Sequence, residues 1–302
     1  MLPIKKYIKE PAVLGHSLLI RFGRCLPDKI YIKWQYRLRM GKRLNLTNPR
    51  TFSEKLQWLK LYNRKPEYST MVDKYAVKDY VAGKIGQEHI ITTFGVWDKP
   101  EQIQWDSLPN QYVLKTTNGG GSTGVVICND KSNFNQQKAI EKLTHSLSYD
   151  PYLRLREWPY KNVRKQIIAE QYIAPQKESN DLPDYKFFCF NGEPKYCQVI
   201  SGRNSIECSD FFDYNWNHQP FHEPIWLPFA DNIPQKPAHL EQMWQAAKRL
   251  SENLPFARID FYDTGAEFYF GEITFFPTSG MGVFDPIEYD EIFGSMIDLP
   301  QK

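Results

Sequence analysis

The residues best placed to do chemistry lie near the C-terminus of this 302-residue chain. Ala257-Arg258-Ile259-Asp260-Phe261-Tyr262 and Tyr269-Phe270-Gly271-Glu272-Ile273-Thr274 both alternate apolar and polar residues. That is the period of a strand with one covered face. In this register Arg258, Asp260, Glu272 and Thr274 share a face. A cation, two carboxylates and a hydroxyl on one rigid surface suit a phosphate with Mg²⁺. Magnesium takes hard oxygen ligands from one or two carboxylates and from phosphates, while arginine clamps phosphate oxygens. A solvated hairpin face with a cross-strand Arg–Glu pair gives the same pattern.

Further chemistry lies upstream. Lys115 ends an apolar run (Tyr112-Val113-Leu114) and enters Thr116-Thr117-Asn118-Gly119-Gly120-Gly121-Ser122-Thr123-Gly124, followed by Val125-Val126-Ile127-Cys128. A glycine-rich loop between two strands is neither a P-loop nor a dinucleotide fingerprint, since each of those needs a helix after the glycines. Its backbone N–H groups can still fold over a triphosphate, with Lys115 adding a point charge. An ordinary glycine-rich hairpin turn is the alternative. Gln166 to Ile173 reads as an apolar strand with Glu170, Gln171 and Tyr172 near its end. Asp184, Lys186 and Phe188 share one face of the next strand, which turns at Glu193-Pro194 and returns through Ile200.

The elements that position these groups follow from the same patterns. Asp263-Thr264-Gly265 is turn chemistry and makes the C-terminal pair a hairpin. Within Thr47 to Lys55, Ser/Thr caps with an acidic residue soon after mark the start of a helix whose buried stripe is Phe52, Leu56 and Leu59. Asp73 to Lys84 is expected to form a second helix, Ile90 to Trp97 a strand and turn, Phe134 to Tyr149 and Tyr152 to Trp158 helices, and Ala238 to Asn253 an amphipathic helix. Ser201 to Asp231 is expected to be an irregular active-site loop with Arg203 as its most interesting charge. Ser279, Gly280 and Gly282, after Pro277, suit an acceptor pocket with oxyanion donors, or a plain turn.

Taken in order, these pieces resemble the ATP-grasp superfamily, and in detail its TupA-like group, found among enzymes of bacterial surface polysaccharides. Asn48 to Lys60, Val72 to Val81 and Phe211 to Trp216 extend the resemblance, which runs from about Asn45 to the end. It implies an α+β fold with two antiparallel-sheet lobes holding ATP between them. The implied organisation is a basic N-terminal segment (1–46), a small α/β lobe (47–110) and a catalytic region (111–302), divided into a first ATP-binding lobe (111–172) and a second lobe with the metal hairpin (173–302). It further implies that Lys115 contacts phosphates under the loop of Gly119, Gly120, Gly121 and Ser122. Glu170, Gln171, Tyr172 and Ile173 become the adenine hinge, largely through backbone groups. Asp184 touches ribose or substrate, Lys186 contacts phosphate or substrate, Arg258 sits on the transferring phosphate, and Asp260, Glu272 and Thr274 hold Mg²⁺. The superfamily usually has Asn where Thr274 stands, and the group's loop often has His where Asn118 stands. The implied chemistry is ATP-dependent joining of a carboxylate to an amine through an acyl phosphate, on a uronic-acid sugar or amino acid. A kinase or a sugar-transferring enzyme of the same gene sets, or a non-catalytic nucleotide-binding protein, remains the alternative.

Bulk properties bound the rest. A net charge of +3 does not mark a nucleic-acid binder. The five cysteines show no metal spacing and suit buried thiols in a reducing cytoplasm. His218 and His222 have helical spacing but sit among Trp, Pro and Asn, as in a surface loop. The apolar run Val13 to Ile20 stops at Arg21, well short of the roughly 20 residues a bilayer span needs. The N-terminal segment is strongly basic, with Glu10 and Asp28 its acids before Asn45. It is expected either to lie on an anionic inner-membrane surface or to pack on the body as a helical hairpin.

Overall fold

The structure, a computed structural model, describes residues 11–119, 123–175, 182–202 and 205–301. Gly120, Gly121, Ser122 and Arg203 therefore lie outside the described residues. The chain opens with a helical hairpin, α1 (Pro11–Phe22) and α2 (Asp28–Met40). Gly41 closes α2 at φ 69°, a left-handed backbone that glycine adopts without penalty. Buried Arg156 fastens the hairpin to the body. Its guanidinium stacks on Tyr31 at 4.1 Å and donates to the carbonyls of Gly23 and Arg24, each at 3.1 Å.

Helix α3 (Phe52–Tyr62) opens with a capping box in which Thr51 accepts from the Glu54 N–H and the Glu54 carboxylate returns the bond. Phe52, Leu56 and Leu59 are buried, as the spacing predicts. The helix expected from Asp73 to Lys84 starts later, as α5 (Val77–Ile85), and a separate short helix, α4 (Glu67–Val72), precedes it. The start is delayed because the Asp73 carboxylate accepts from the N–H groups of Tyr75 (2.8 Å) and Ala76 (3.1 Å), an Asx turn in place of helical bonds.

Two antiparallel sheets follow. The first has the order β1-β4-β2-β3, built from β1 (Thr93–Trp97), β2 (Tyr112–Thr116), β3 (Val125–Cys128) and β4 (Ile167–Gln171). Helix α6 (Gln136–Leu147) covers it, burying Ala139 and Leu143. A short helix, α7 (Pro151–Leu155), stands where a longer one was expected, because Arg156 turns left-handed at φ 54°. The second sheet has the order β7-β6-β5-β8-β9, from β5 (Asp184–Phe190), β6 (Glu193–Ser201), β7 (Cys208–Phe212), β8 (Phe256–Asp263) and β9 (Phe268–Thr274). Helix α8 (Leu240–Leu250) packs on β5, β6 and β8. The larger core joins this sheet to α3, α4, α5, α8 and α9 (Tyr289–Ser295), with Phe187, Phe188, Phe256 and Phe293 at its centre.

Strand β7 corrects the expectation of an irregular Ser201–Asp231. Every residue of β7 is buried, so no alternation marks it. Its polar Asp210 is satisfied internally by His218 (2.9 Å) and the Ala230 N–H (3.2 Å). No helix among the described residues is long and apolar enough to cross a membrane.

Candidate active site

The C-terminal hairpin has the register its sequence implies. Arg258 pairs with Thr274 and Asp260 with Glu272, while on the other side of β8 Lys186 faces Asp260 and Phe188 faces Arg258. A bulge after Asp260 accommodates Gly271, where a Cβ would come within 3.0 Å of the Asp260 carbonyl. Beyond it the alternation restarts, which leaves Phe261 and Phe270 in the core.

Three cations and three carboxylates meet on this face. Arg258 grips Asp260 through two bonds, Nε–Oδ1 at 2.8 Å and Nη2–Oδ2 at 2.7 Å, and reaches Glu272 and the Thr274 hydroxyl, each at 3.3 Å. Lys186 bonds Asp260 at 2.6 Å and Asp184 at 3.1 Å. Lys74 bonds Glu272 at 3.1 Å. Burial opposes the charge on Glu272, but Lys74, Arg258 and Lys186 outweigh it and hold the carboxyl far below its usual range. Burial likewise opposes the charge on Arg258, and Asp260 and Glu272 reverse the effect.

Across the cleft, Glu170 is buried between two lysines, with Lys78 at 2.5 Å and Lys115 at 2.7 Å. Burial pushes its pKa up, and the two ammonium groups pull it below the ordinary carboxylate value. Lys78 is also anchored by the Ile91 carbonyl (2.7 Å) and the Thr93 hydroxyl (2.6 Å). Register explains the grouping: Glu170 on β4 faces Val113 on β2, so Lys115, two residues along, lies on the same side. Lys74 joins the two halves, since the same ammonium that holds Glu272 donates to the Gly119 carbonyl at the mouth of the glycine loop. Apolar Ile90, Ile91 and Phe270 complete the cleft wall. Gln171 is exposed after Glu170, and Tyr172 and Ile173 are half-buried.

The donor set fits Mg²⁺. Two facing carboxylates and the Thr274 hydroxyl, 3.3 Å from Glu272, are hard oxygens of the kind this ion shares with phosphates. Among the described residues no cluster of three or more His, Cys, Asp or Glu side chains offers a full protein cage. His218 and His222 do not form a ligand pair: the first holds Asp210 and the second bonds the Leu227 carbonyl at 2.7 Å.

A loop beside this face was only partly legible. Thr278, Ser279 and Gly280 run consecutively left-handed, at φ 50°, 57° and 61°. For the two non-glycine residues this costs about 1 kcal/mol or more each. Buried donors from α3 hold it from behind. Gln57 bonds the carbonyls of Ser279 (3.1 Å) and Gly280 (2.9 Å), and Lys60 bonds the Ser279 carbonyl (2.8 Å) and hydroxyl (2.7 Å). Burial pushes Lys60 down to about 7, with Glu157 opposing, and burial pushes Glu157 up. Thr278 donates to buried Glu223 at 2.8 Å, whose carboxyl is raised by burial.

Lys74, Lys78, Lys60, Gln57 and Glu223 have no role in the sequence reading. The four-residue spacing of Lys74 and Lys78 was a visible signal, but the Asx turn at Asp73, not a common helix face, brings both into the cleft.

Residues 54–298 match the model of the TupA-like ATP-grasp family, and the chain belongs to that family. Among curated proteins none matches it significantly. It is similar to solved structures that include a D-alanine–D-alanine ligase. That of Bacillus anthracis is 19% identical over 68% of this chain and 57% of the other, TM-score 0.39. The D-alanyl-alanine synthetase A of Vibrio cholerae is 15% identical over 81% and 68%, TM-score 0.45. A D-cycloserine synthetase is 12% identical over 82% and 70%, TM-score 0.41. The chain thus spans little more than half the length of the Bacillus anthracis enzyme.

Proposed function

We propose that the protein is an ATP- and Mg²⁺-dependent carboxylate–amine ligase, acting on a uronic-acid sugar or an amino acid in bacterial surface-polysaccharide assembly. The observation that carries this reading is the facing arrangement of cations and carboxylates. Lys115 on the first sheet and Lys78 of α5 flank Glu170 on one side, Arg258 and Lys186 stand on the second sheet, and Lys74 lies between them. Such a cleft can neutralise a triphosphate from both sides. Lys74 and Lys115 bind phosphate oxygens under the glycine loop, and the end of β4 supplies the adenine hinge. Arg258 lies on the transferring phosphoryl group, and Lys186 orients the acceptor carboxylate. Asp260, Glu272 and Thr274 hold the metal, which when bound offsets repulsion between phosphates and the incoming carboxylate.

In the first step a carboxylate oxygen bonds the γ-phosphorus as the bridging P–O bond breaks and ADP leaves. In the second, the amine nitrogen bonds the acyl carbon, the C–O bond to phosphate breaks, and the amine gives up a proton. Positioning and charge neutralisation by rigid strands supply most of the effect. The strained, rigidly backed loop at Thr278–Gly280 supports an acceptor site beside the phosphate face. A kinase would use the same ATP face with a hydroxyl acceptor. Four of the five free cysteines are buried, which supports work in a reducing cytoplasm.

The test is Mg-ATP consumption against a panel of uronic acids and amino acids, following phosphate and product mass together. ADP, free phosphate and an amide mass, only when acid and amine are both present, is the expected result. A phosphorylated sugar without free phosphate would make the protein a kinase.

A further inference from the structure

The outer side of the α1–α2 hairpin carries a feature unrelated to the cleft. Leu14, Leu18 and Phe22 recur every four residues along α1, and Leu26, Ile30 and Trp34 continue the interval through the connector and α2. All six are exposed, Phe22 at 70% and Trp34 at 60%. At about 100° of rotation per residue, Leu14, Leu18 and Phe22 form one stripe on α1 and Ile30 and Trp34 another on α2, with Leu26 in the connector between them. The packing of the hairpin fixes where the stripes point. Gly15 of α1 lies against Leu38 and His16 bonds Gln35 at 3.2 Å, whereas Ile32 and Tyr36 of α2 are buried toward the body. Two antiparallel right-handed helices in that contact turn both stripes to one side, away from the body.

The charge around the stripe has a single sign. Asp28 is the one acid from Pro11 to Ser53. It is turned inward, to Arg64 at 2.7 Å and Arg156 at 3.3 Å. Arg21, Arg24, Lys29 and Lys33 are exposed and have no ion pair with a described residue. Arg21 borders the stripe on one flank and Lys33 and Arg37 on the other. An apolar strip rimmed by cations is poorly suited to water and well suited to the interface of an anionic bilayer. There the apolar side chains enter the acyl boundary while the cations meet headgroup phosphates. We propose that this face docks the enzyme on an anionic membrane surface, with the hairpin lying flat and the body held above it. Arg156 and Asp28 tie the hairpin to the body, so docking fixes the orientation of the catalytic lobes.

The test is flotation of the full chain with vesicles of phosphatidylcholine, with and without about a third phosphatidylglycerol. The chain is expected to float with the anionic vesicles only, and salt should release it. The Phe22→Glu, Trp34→Glu variant is expected to lose roughly tenfold or more in partitioning. Each of Arg21→Gln and Lys33→Gln is expected to lose about fivefold. Thermal melting of the variants should match the parent because the altered residues are exposed. Absence of flotation, or flotation that Phe22→Glu, Trp34→Glu leaves unchanged, would overturn the proposal. So would a dimer in gel filtration that this variant disperses without any vesicle binding, since a second copy would then cover the stripe.

Discussion

Replacing Glu272 by Gln separates stability from catalysis at the phosphate face. In the protein Glu272 accepts from Lys74 at 3.1 Å and Arg258 at 3.3 Å. Hydrogen bonds to charged groups are each worth about 1.5–3 kcal/mol, and a glutamine keeps part of both. The expected loss of stability is therefore about 2 kcal/mol, within the reserve of an ordinary domain. The carboxyl is held far below its ordinary 4.5, so its contribution is fully present above that pH and is lost as pH falls toward the folded-state value. The stability difference between parent and variant should accordingly shrink below about pH 4.5. Catalysis should suffer more. Losing a metal-ligand charge beside the transferring phosphoryl group is expected to lower Mg-ATP turnover by about 10³-fold, roughly 4 kcal/mol. The assay pairs urea denaturation across pH with steady-state phosphate release. A folded Glu272→Gln protein turning over within tenfold of the parent would refute the assignment of this hairpin to the reaction.

Other consequences follow from the same contacts. Glu170→Gln leaves the ammonium groups of Lys78 and Lys115 facing each other without the buried carboxylate between them, and should cost about 3 kcal/mol in denaturation. Lys60→Met removes the donor to Ser279 and Leu155 and should cost about 2–4 kcal/mol. Adding Glu157→Gln should recover part of that loss, and additivity in the double-mutant cycle would show that the two residues do not interact. Thr274→Asn should keep or raise Mg-dependent turnover, because an amide oxygen is a stronger ligand than a hydroxyl. Thr274→Val should lower turnover by about tenfold or more, measured as the Mg²⁺ concentration dependence of phosphate release.

What could be read from the sequence tracks where a single local period decides the structure. Arg258, Asp260, Glu272 and Thr274 could be placed on one face because a half-buried hairpin alternates strictly, and the bulge at Gly271 moves the break into the core-facing stretch without changing that face. The helix over Phe52–Tyr62 could be read from its capping box. Strand β7 could not, because burial on both sides erases alternation and the polar Asp210 is satisfied by residues distant in sequence. The roles of Lys74 and Lys78 do not follow from their four-residue spacing, since the turn that aims them depends on one Asx bond pattern at Asp73. Glu170 illustrates a different limit. The family resemblance implies backbone contacts to a ligand there, whereas its carboxylate holds two lysines that no neighbouring residue announces. The left-handed run at Thr278–Gly280 depends on Gln57 and Lys60, more than 200 positions earlier, and no local signal at Thr278 or Ser279 encodes it.

The most direct test of the ligase reading is the fate of oxygen in the acceptor. With an acid carrying ¹⁸O in its carboxylate, Mg-ATP and an amine, each amide formed should be matched by one released phosphate bearing ¹⁸O. Amide formation with unlabelled phosphate, or label retained entirely in a phosphorylated product, would contradict activation of the carboxylate as an acyl phosphate.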